Sequence, residues 1–435
     1  MLRATAVLAV LCLCPATPSS AQTSDQQLAF LIPNLYGSGG LVVDSEARLP
    51  DGSTHSAHFN SAFQSEFTQF NIALASQLAN VSLPSPASGY TYTFDPGLGV
   101  FKRSTQSFGP ILADRAETIG KGKFAFGFNY QRFSFDSIEG VDLGSVPAVF
   151  THDDFQLGGG RADVVTTTNS IDAKVSQFNA FFTYGLGSRF DVSVAVPIVD
   201  VDLKVVSEAT IQRVGTSASP ATHFFRDERG GFGDHHEFVA SGSASGIGDV
   251  ILRLKGTAPK SGPTTLALSL DVRFPTGDEK DLLGSGAFGV RPLLAFSWAV
   301  GKLAPHLNLG YQWNGKSILA GDVARNVKEE LPNQFLYTAG VDVGLSDKIT
   351  LALDVLGQRV VDSPRLVKKT FTAANGVTFP QIGFERGTLN LTNGSLGLKV
   401  NAGGSLLVDL NLVFKLDDAG LRDKLTPLLG IEYSF

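Results

Sequence analysis

The sequence has very little cysteine and methionine, and it has no long apolar run beyond its first residues. Among 435 residues there is one methionine and there are two cysteines, Cys12 and Cys14. Both cysteines fall in one short apolar stretch, which excludes a small secreted domain held together by disulfides. No later segment reaches about 18 uninterrupted apolar residues, so no transmembrane helix is predicted. A membrane crossing would have to be made by strands.

Positive charge is also scarce. Charged residues make up 17% of the chain, the formal net charge is -6, and there is no long basic run. The sequence therefore predicts no nucleic-acid partner. Apolar residues make up 43%, which argues against disorder, and the 47 glycines and 32 phenylalanines favour many strands and turns.

The N-terminus has the order of a secretory signal peptide. Arg3 is followed by the apolar run ATAVLAVLCLC, and the small residues Ser19 and Ala21 precede Gln22. This pattern predicts a signal peptide over residues 1–21, cleaved after Ala21. The mature chain would then contain no cysteine.

Strand-like alternation dominates the rest of the chain. In TTLALSLDVRF, the apolar residues from Leu266 to Phe274 alternate with Thr265, Ser269, Asp271 and Arg273. About a dozen such segments occur, near residues 121–136, 168–186, 188–206, 247–258, 263–275, 287–300, 303–314, 334–345, 347–360, 388–400, 404–416 and 424–435. Short connections such as GKLA and LSDK alternate with long ones, including 213–245 and 362–386. Short turns at one end and long loops at the other are typical of outer-membrane barrels.

We therefore predict an all-β fold, a transmembrane antiparallel β-barrel of about 12 strands over residues 119–435, in the Gram-negative outer membrane. Its apolar faces would contact outer-membrane lipids and lipopolysaccharide. Aromatic belts are predicted at the outer edge (Phe274, Tyr311, Trp313, Phe335, Tyr337, Phe414) and at the inner edge (Phe182, Tyr184, Phe190, Trp298, Tyr433, Phe435). The charged residues of the strands would face the lumen, because a basic side chain at the bilayer midplane costs about 2–4 kcal/mol.

Residues 22–118 follow a different pattern. Apolar residues recur at steps of three or four from Phe59 to Val81, which predicts one amphipathic helix. Two arrangements remain open: a partly helical plug inside the barrel mouth, or a small periplasmic cap. The stretch YTYTFDPGLGVFKRSTQSF could also add a hairpin and raise the strand count to about 14.

The motifs SGIGDVILRLKG and PTGD, followed by PHLNLGYQWNG and TPLLGIEYSF, resemble the outer-membrane family named for the MetA pathway of phenol degradation. The resemblance extends from about residue 115 to the C-terminus. It implies a barrel of 12 to 14 strands, related to the FadL-type channels, and by extension the uptake of small apolar molecules.

Two groups of candidate site residues follow from the strand register. A polar cluster in the lumen is predicted from Asp249, Arg253, Asp271, Arg273 and His306, either as a structural ion-pair network or as a ligand-orienting constriction. A path for a small hydrophobic ligand is predicted along the apolar residues Phe59, Phe63, Phe67, Phe70, Phe181 and Leu336.

Catalytic and metal sites are not predicted. The acidic loop TGDEKD lacks the ligand spacing of a calcium loop, and DHHE in another long loop is typical of a solvated segment. No GxSxG motif is present, and Ser285 has no identifiable partners for catalysis. We expect no cofactor and no enzymatic activity.

The chain ends on GIEYSF, in which Ile431, Tyr433 and Phe435 share the apolar face. This ending resembles the C-terminal signal that the barrel-assembly machinery recognises, so Tyr433 and Phe435 are predicted to act as an assembly signal. The sequence as a whole predicts a channel for passive uptake of small hydrophobic or aromatic molecules. A general diffusion porin and a non-transport barrel, acting as an anchor or surface protein, are the alternatives.

Overall fold

The computed structural model describes residues 27–37, 41–43, 58–60, 68–79, 92–95, 100–103, 107–152, 163–214, 223–226, 231–323, 325–373 and 375–435. The predicted signal peptide lies outside the described residues. Twelve strands form the wall of the barrel: β1 (Phe124–Phe135), β2 (Val164–Gly185), β3 (Phe190–Gln212), β4 (Val250–Thr257), β5 (Thr264–Phe274), β6 (Gly289–Trp298), β7 (Leu303–Asn314), β8 (Gln334–Ser346), β9 (Ile349–Thr372), β10 (Thr378–Gly403), β11 (Leu406–Lys415) and β12 (Leu425–Ser434).

These strands form a closed antiparallel barrel in which each strand pairs with its neighbours in sequence. The last strand closes on the first, with Leu428 opposite Gln131 and Ser434 opposite Ala125. Closure leaves the barrel with no free edge, so every strand can satisfy its backbone hydrogen bonds within the sheet. The predicted barrel is therefore confirmed, with twelve strands in its wall.

Burial along the strands is the reverse of that in a soluble sheet. In β5 the exposed fractions of Leu266, Leu268 and Leu270 are 41%, 61% and 43%, whereas Ser269 and Asp271 are 1% and 3% exposed. An apolar outer face with a polar interior is the arrangement that a lipid environment requires. The barrel is thus a transmembrane barrel. No helix among the described residues is long and apolar enough to cross a membrane.

The two ends of the barrel differ in the length of their connections. At one end of the barrel, consecutive strands are joined by connections of two to six residues. The connections between β8 and β9 and between β10 and β11 are examples. The same end holds the start of β1 and the C-terminus, where the backbones of Phe124 and Phe435 exchange hydrogen bonds of 2.9 Å. We call it the inner end, because short turns in such barrels face the periplasm. The long connections lie at the outer end.

The segment 362–386, predicted as a long loop, is mostly strand. After a bulge between Val360 and Ser363, β9 and β10 continue to pair as far as Thr372 and Thr378. The prediction failed because the alternation of apolar residues stops beyond Val360, where the sequence runs through Pro364, Arg365 and paired lysines. Strands that extend beyond the membrane need no apolar face.

Further strands lie around the outer end, some added to the sheet of the barrel wall and some in small sheets of their own. Val146–His152 pairs with the outer part of β2, and His235–Ile247 pairs with the outer part of β3. The remaining short strands are Leu41–Val42, His58–Asn60, Tyr92–Asp95, Val100–Arg103, Ser137–Ile138, Val141–Asp142, Phe225–Arg226, Phe232–Gly233, Lys316–Asp322, Val327–Glu330 and Leu421–Arg422. The hairpin predicted from YTYTF forms between Tyr92–Asp95 and Val100–Arg103, but it is a separate two-stranded sheet and does not join the barrel.

Only part of the predicted N-terminal helix is helical. Helix α1 spans Thr68–Ala79 and follows a 3-10 turn at Leu28–Phe30. Phe70, Leu74 and Leu78 lie on α1 and are buried, as the stripe predicts. Phe59 instead lies in the strand His58–Asn60, opposite Leu41 and His152, because its backbone extends an existing sheet edge. Phe63 and Phe67 lie outside the described residues.

Helix α1 belongs to a large apolar cluster at the outer end of the barrel, which we call the outer apolar core. It joins buried residues of the N-terminal part with those of the long connections and of the outer halves of β2 and β3, among them Leu28, Phe59, Phe70, Leu74, Phe150, Val201, Leu283, Ile318 and Leu421. The described N-terminal residues pack against Ile318 and Leu421, which follow the outer ends of β7 and β11. These contacts are at the outer end of the barrel and not at the periplasmic end.

Aromatic side chains mark both ends of the lipid-facing surface. At the outer end, Phe274, Trp313, Phe335 and Phe414 are exposed, and at the inner end so are Phe182, Phe190, Trp298, Tyr433 and Phe435. Rings also contact one another within each belt: the centroids of Tyr311 and Trp313 are 4.9 Å apart, and those of Phe124 and Tyr184 are 4.6 Å apart. These two bands fit the interfaces of a bilayer.

A close backbone approach at the inner end requires glycine at position 185. Gly122 donates its N–H to the Gly185 carbonyl at 2.8 Å, and a Cβ on residue 185 would overlap the carbonyl oxygen of Gly120. We expect Gly185→Ala to destabilise the folded barrel by about 1–3 kcal/mol, because the backbone of residues 120–122 must move away. Urea titration in lipid vesicles, read by the heat-dependent gel mobility shift, measures this. Gly187→Ala is the control, since a Cβ there meets nothing within 4 Å; equal destabilisation by both variants would contradict the explanation.

Candidate functional site

Residues 107–119, which we call the lumen segment, run across the interior of the barrel just before β1. The segment is not part of any sheet, so its backbone groups need other partners. Side chains of the barrel wall supply them. The contacts reach five strands: Phe108 N to Thr350 Oγ1 (2.9 Å), Lys399 Nζ to Pro110 O (2.9 Å), Asn308 Nδ2 to Asp114 O (2.8 Å), Ala116 N to Ser297 Oγ (3.0 Å) and Ile119 N to Asp191 Oδ2 (2.9 Å). The polar lining thus holds the lumen segment in place.

Asp114 is the most heavily bound residue of the lumen segment. Its carboxylate lies 3.2 Å from Lys255 Nζ and 3.3 Å from Arg253 Nη1, and it accepts a hydrogen bond of 3.3 Å from Ser269. Lys255 Nζ also donates to the carbonyl oxygen of Arg115. Asp114, Lys255 and Arg253 are each at most 4% exposed, so these charges depend on one another for compensation.

A ladder of charged side chains lies next to Asp114 on the lumen wall. Arg253, Asp271 and Arg291 are direct cross-strand neighbours on β4, β5 and β6. Arg253 donates from Nε (2.6 Å) and Nη2 (2.8 Å) to the two oxygens of Asp271, and Arg291 donates from Nε (3.0 Å) and Nη2 (2.7 Å) to Oδ2. The central carboxylate therefore orients both guanidinium groups.

The other predicted cluster residues form two separate groups. Arg273 lies 3.6 Å from Asp249 and donates to Asn314 at 2.8 Å, while Asp249 accepts from the backbone N–H of Ser285 at 2.8 Å. That group ties the loop after β5 to the wall.

His306 belongs to a third group on β7, β8 and β9. Its Nε2 lies 2.6 Å from Asp354 Oδ1, and its Nδ1 lies 3.5 Å from Asp342 Oδ2. Gly340 makes room for this pair, because a Cβ there would meet His306 Nε2 at 2.6 Å. The five residues predicted as one cluster thus occupy three positions around the lumen wall.

A cavity of about 200 Å³ lies between the lumen segment and helix α1. Leu112 and Asp114 of the lumen segment line one end of it, and Gln77 of α1 and Leu421–Asp423 line the other. The wall between them is partly apolar (Phe133, Leu293, Leu336, Leu356, Leu391, Val413) and partly polar (Gln131, Arg253, Arg291, Asn308, Thr338, Gln358, Asn393, Thr426). Such a mixture suits a molecule with an apolar body and a polar end.

A smaller cavity of about 40 Å³ adjoins this one on the outer side. Both are lined by Gln77, Gln358, Leu391 and Leu421, and the smaller one also by apolar residues such as Ile72 and Leu366. The two cavities therefore follow one another along helix α1, from the outer apolar core toward the lumen.

The predicted path residues fall into different surroundings. Leu336 lines the larger cavity. Phe181 faces the lumen but packs against Ala195 and Ile251 and lies near Ile111 and Leu112 of the lumen segment. Phe59 and Phe70 are fully buried in the outer apolar core and line neither of the two cavities described above. Of the four described path residues, only Leu336 borders the larger cavity.

Sequence reasoning missed several residues of the site. Lys255 is the next inward-facing residue after Arg253 on β4. Arg291 lies directly opposite Asp271 on the neighbouring strand β6. The register of β4 to β6 therefore contains the signal for both residues. Asp342 and Asp354 likewise sit at inward positions beside His306. For Asp114 the sequence has no signal, because the lumen segment has no periodicity.

Tyr433 and Phe435 lie at the seam where β12 meets β1. The rings of Phe124 and Phe435 stack with centroids 5.6 Å apart, and Tyr433 contacts Phe126 at 5.7 Å. Both side chains face outward, as predicted, and the Phe435 side chain is 62% exposed. Their role as an assembly signal stays a prediction.

The closed twelve-stranded barrel and its inverted burial define a transmembrane β-barrel of the outer-membrane type. Residues 150–351 match the model of a family described as a putative MetA-pathway of phenol degradation. This confirms the resemblance to that family over just under half of the chain.

Several solved structures are similar to this fold. An outer membrane channel from Pseudomonas putida F1 has 14% identity and a TM-score of 0.44, and the match covers 74% of this chain and 98% of that one. A FadL homologue from Pseudomonas aeruginosa has 9% identity and a TM-score of 0.30, covering 72% and 89%. The NanC porin has 8% identity and a TM-score of 0.33, covering 71% and 98%. No curated protein sequence matches this chain.

Proposed function

We propose that this protein is a channel for the passive uptake of small hydrophobic or aromatic molecules across the outer membrane. The observation that carries this proposal is the cavity inside the barrel, whose apolar wall of Leu293, Leu336 and Leu356 lies between the lumen segment and helix α1. A ligand would be captured at the outer apolar core, pass along α1 past Gln77, and be released when the lumen segment moves or through the barrel wall.

The lumen segment favours this function over that of a general porin. A diffusion porin needs a continuous aqueous path, and here the segment bonds to five strands across the interior. A barrel that serves only as an anchor or surface protein would not need a cavity with a mixed wall. The proposed setting includes export with loss of residues 1–21, insertion by the barrel-assembly machinery, and contact with lipopolysaccharide.

Uptake into proteoliposomes tests the proposal. Vesicles with lipopolysaccharide in their outer leaflet are mixed with naphthalene, and its arrival inside is followed by fluorescence. We expect the full chain to accelerate uptake relative to empty vesicles while an uncharged sugar stays outside. If the sugar enters as fast as naphthalene, the protein is a general porin; if neither is accelerated, it is not a channel for such molecules.

A substitution in the apolar wall should slow this uptake. Leu336→Asn places an amide in the cavity, and an apolar ligand passing it would have to desolvate that amide without forming hydrogen bonds. Since an uncompensated polar group costs about 1–3 kcal/mol, we expect naphthalene uptake to fall roughly tenfold. Leu345→Asn is the matched control on the same strand, because Leu345 is exposed near the inner end of β8. Equal rates for the two variants would show that Leu336 does not border the path.

A further inference from the structure

Exposed positive charge is concentrated at the inner end of the barrel. The connections there carry six exposed cations, against two carboxylates, that of Asp347 and the chain terminus at Phe435. The exposed net charge of this end is therefore +4, whereas the formal net charge of the whole chain is -6. We call the six residues the basic arc: Lys121, Lys123, Arg189, Lys260, Lys302 and Lys348.

The basic arc borders the lipid-facing surface. Phe190 and Leu303, the first residues of β3 and β7, are 54% and 49% exposed on the apolar outer face. Each directly follows a member of the arc, and the same order recurs at β1 and β9. Such a cation lies within one residue, about 3.3 Å, of the height at which the apolar face ends. The four cations in this position are Lys123 before β1, Arg189 before β3, Lys302 before β7 and Lys348 before β9.

The turns hold these four cations in equivalent positions. The backbone oxygen of each accepts a hydrogen bond from an N–H of the strand beside it. The donors are Gly185 to Lys123 (3.0 Å), Thr257 to Arg189 (2.9 Å), Gly344 to Lys302 (2.8 Å) and Asn401 to Lys348 (2.8 Å). Lys260 lies in the turn between β4 and β5. The arc therefore follows the rim of the barrel from β1 to β9.

Ion pairs distinguish the two ends of the barrel. Within the described parts of the chain, none of the six cations takes part in an ion pair, whereas exposed cations at the outer end do. Examples at the outer end are Lys174 with Asp172 and Lys328 with Glu279. The nearby carboxylates of Asp191, Asp342 and Glu432 are at most 5% exposed and face the lumen. The charged ends of the arc are thus available to lipid headgroups, which long cationic side chains reach at a bilayer interface.

We propose that the basic arc binds the headgroups of anionic phospholipids in the leaflet at the inner end of the barrel. A basic surface beside a membrane attracts anionic lipids, and each Lys or Arg adds to the attraction. An acidic soluble protein is the other candidate, but a stable protein interface is one continuous patch with an apolar centre. The arc instead spreads around the perimeter, where lipid surrounds the barrel. This inference is independent of the proposed uptake function.

The two tryptophans of the chain report on the two ends separately. Trp298 lies in the inner belt and is 46% exposed, and Trp313 lies in the outer belt and is 51% exposed. Trp298 ends β6 opposite Thr264, so the turns that carry Lys260 and Lys302 lie on either side of it. Lys316, three residues after Trp313, lies opposite Glu330, so positive charge there has a negative neighbour.

Quenching by brominated phospholipids measures lipid contact at each tryptophan. Trp313→Phe leaves Trp298 as the reporter, and Trp298→Phe leaves Trp313. Each variant is reconstituted into phosphatidylcholine vesicles that contain increasing amounts of brominated phosphatidylglycerol or brominated phosphatidylcholine. Both leaflets have the same composition, so the orientation of the barrel does not matter. We expect phosphatidylglycerol to be preferred about fivefold at Trp298 and not at Trp313. The preference should fall as salt is added.

Removing the two flanking charges locates the site. Lys260→Gln combined with Lys302→Gln, in the Trp313→Phe chain, should reduce the preference at Trp298 to less than about twofold. The matched control is Lys174→Gln combined with Lys328→Gln in the same chain. It removes two exposed lysines at the outer end and should leave the preference at Trp298 unchanged. A heat-dependent gel mobility shift shows that each variant is folded.

Three results would overturn the inference. They are equal quenching by both lipids at Trp298, an equal preference at both tryptophans, and an unchanged preference after the loss of Lys260 and Lys302. The first result would leave the basic arc to an acidic soluble partner. None of the three bears on naphthalene uptake, which is measured separately.

Discussion

A chain that lacks residues 22–118 is expected to form a steadily conducting pore in planar bilayers, whereas the full chain should conduct almost no ions. The wall of the barrel is complete without these residues, since β1 to β12 close the ring by pairing each with the next and the last with the first. Its interior is lined by polar side chains such as Asn129, Gln177 and Asn179, which water would solvate once the lumen segment is gone. We expect the single-channel conductance to rise by at least about tenfold, because a barrel wider than eight strands has room for an aqueous channel.

A point substitution provides an independent test of the lumen segment. Asp114→Ala removes the carboxylate partner of Lys255 and Arg253, and breaking a buried ion pair costs about 3–5 kcal/mol. Brief openings should therefore become frequent in a chain of full length. Lys174→Ala is the control, because its ion pair with Asp172 is exposed on the outer part of β2. Low conductance of the truncated chain, measured on protein that shows the heat-dependent mobility shift, would mean that something other than residues 22–118 closes the lumen.

The barrel could be predicted from sequence because lipid imposes one rule on every strand. Each strand must present apolar side chains outward at period two, so Leu266, Leu268 and Leu270 reveal both their face and their register. Where the membrane ends the rule ends too. That is why the sequence predicts a loop for the outer halves of β9 and β10, although they pair as regularly as the inner halves.

The interior was only partly predictable. Alternation predicts that Arg253, Asp271 and Arg273 face the lumen, but it does not predict which inward residues contact one another. Cross-strand register decides that, and it joins Arg253 to Asp271 and Arg291 while it leaves Arg273 with Asp249. Asp114 was out of reach for a different reason. It reaches the cluster through the lumen segment, whose path depends on side-chain hydrogen bonds to five strands and not on any periodicity of its own.

Removal of Phe435 is expected to reduce the amount of folded barrel in the outer membrane by about tenfold or more. Phe435 closes the barrel at its inner end: its backbone N–H donates to Phe124 O at 2.9 Å, its backbone oxygen accepts from Phe124 N at 2.9 Å, and its ring stacks on that of Phe124. Losing two backbone hydrogen bonds and an aromatic pair weakens the seam by about 1–4 kcal/mol. If the aromatic end is also read by the barrel-assembly machinery, the defect in cells exceeds what the lost contacts explain.

Comparison of cells with purified components separates these two contributions. Phe435→Tyr keeps the ring and the backbone and should assemble nearly normally, whereas Phe435→Ser keeps only the backbone bonds. Folding from urea into lipid vesicles, where no assembly machinery is present, measures closure alone. We expect Phe435→Ser to fold in vesicles to within a few-fold of the unchanged chain and to fail in cells, since its seam keeps the hydrogen bonds but its C-terminus lacks the aromatic residue. Equal defects in both settings would mean that Phe435 acts through the stability of the β12–β1 seam and not through recognition.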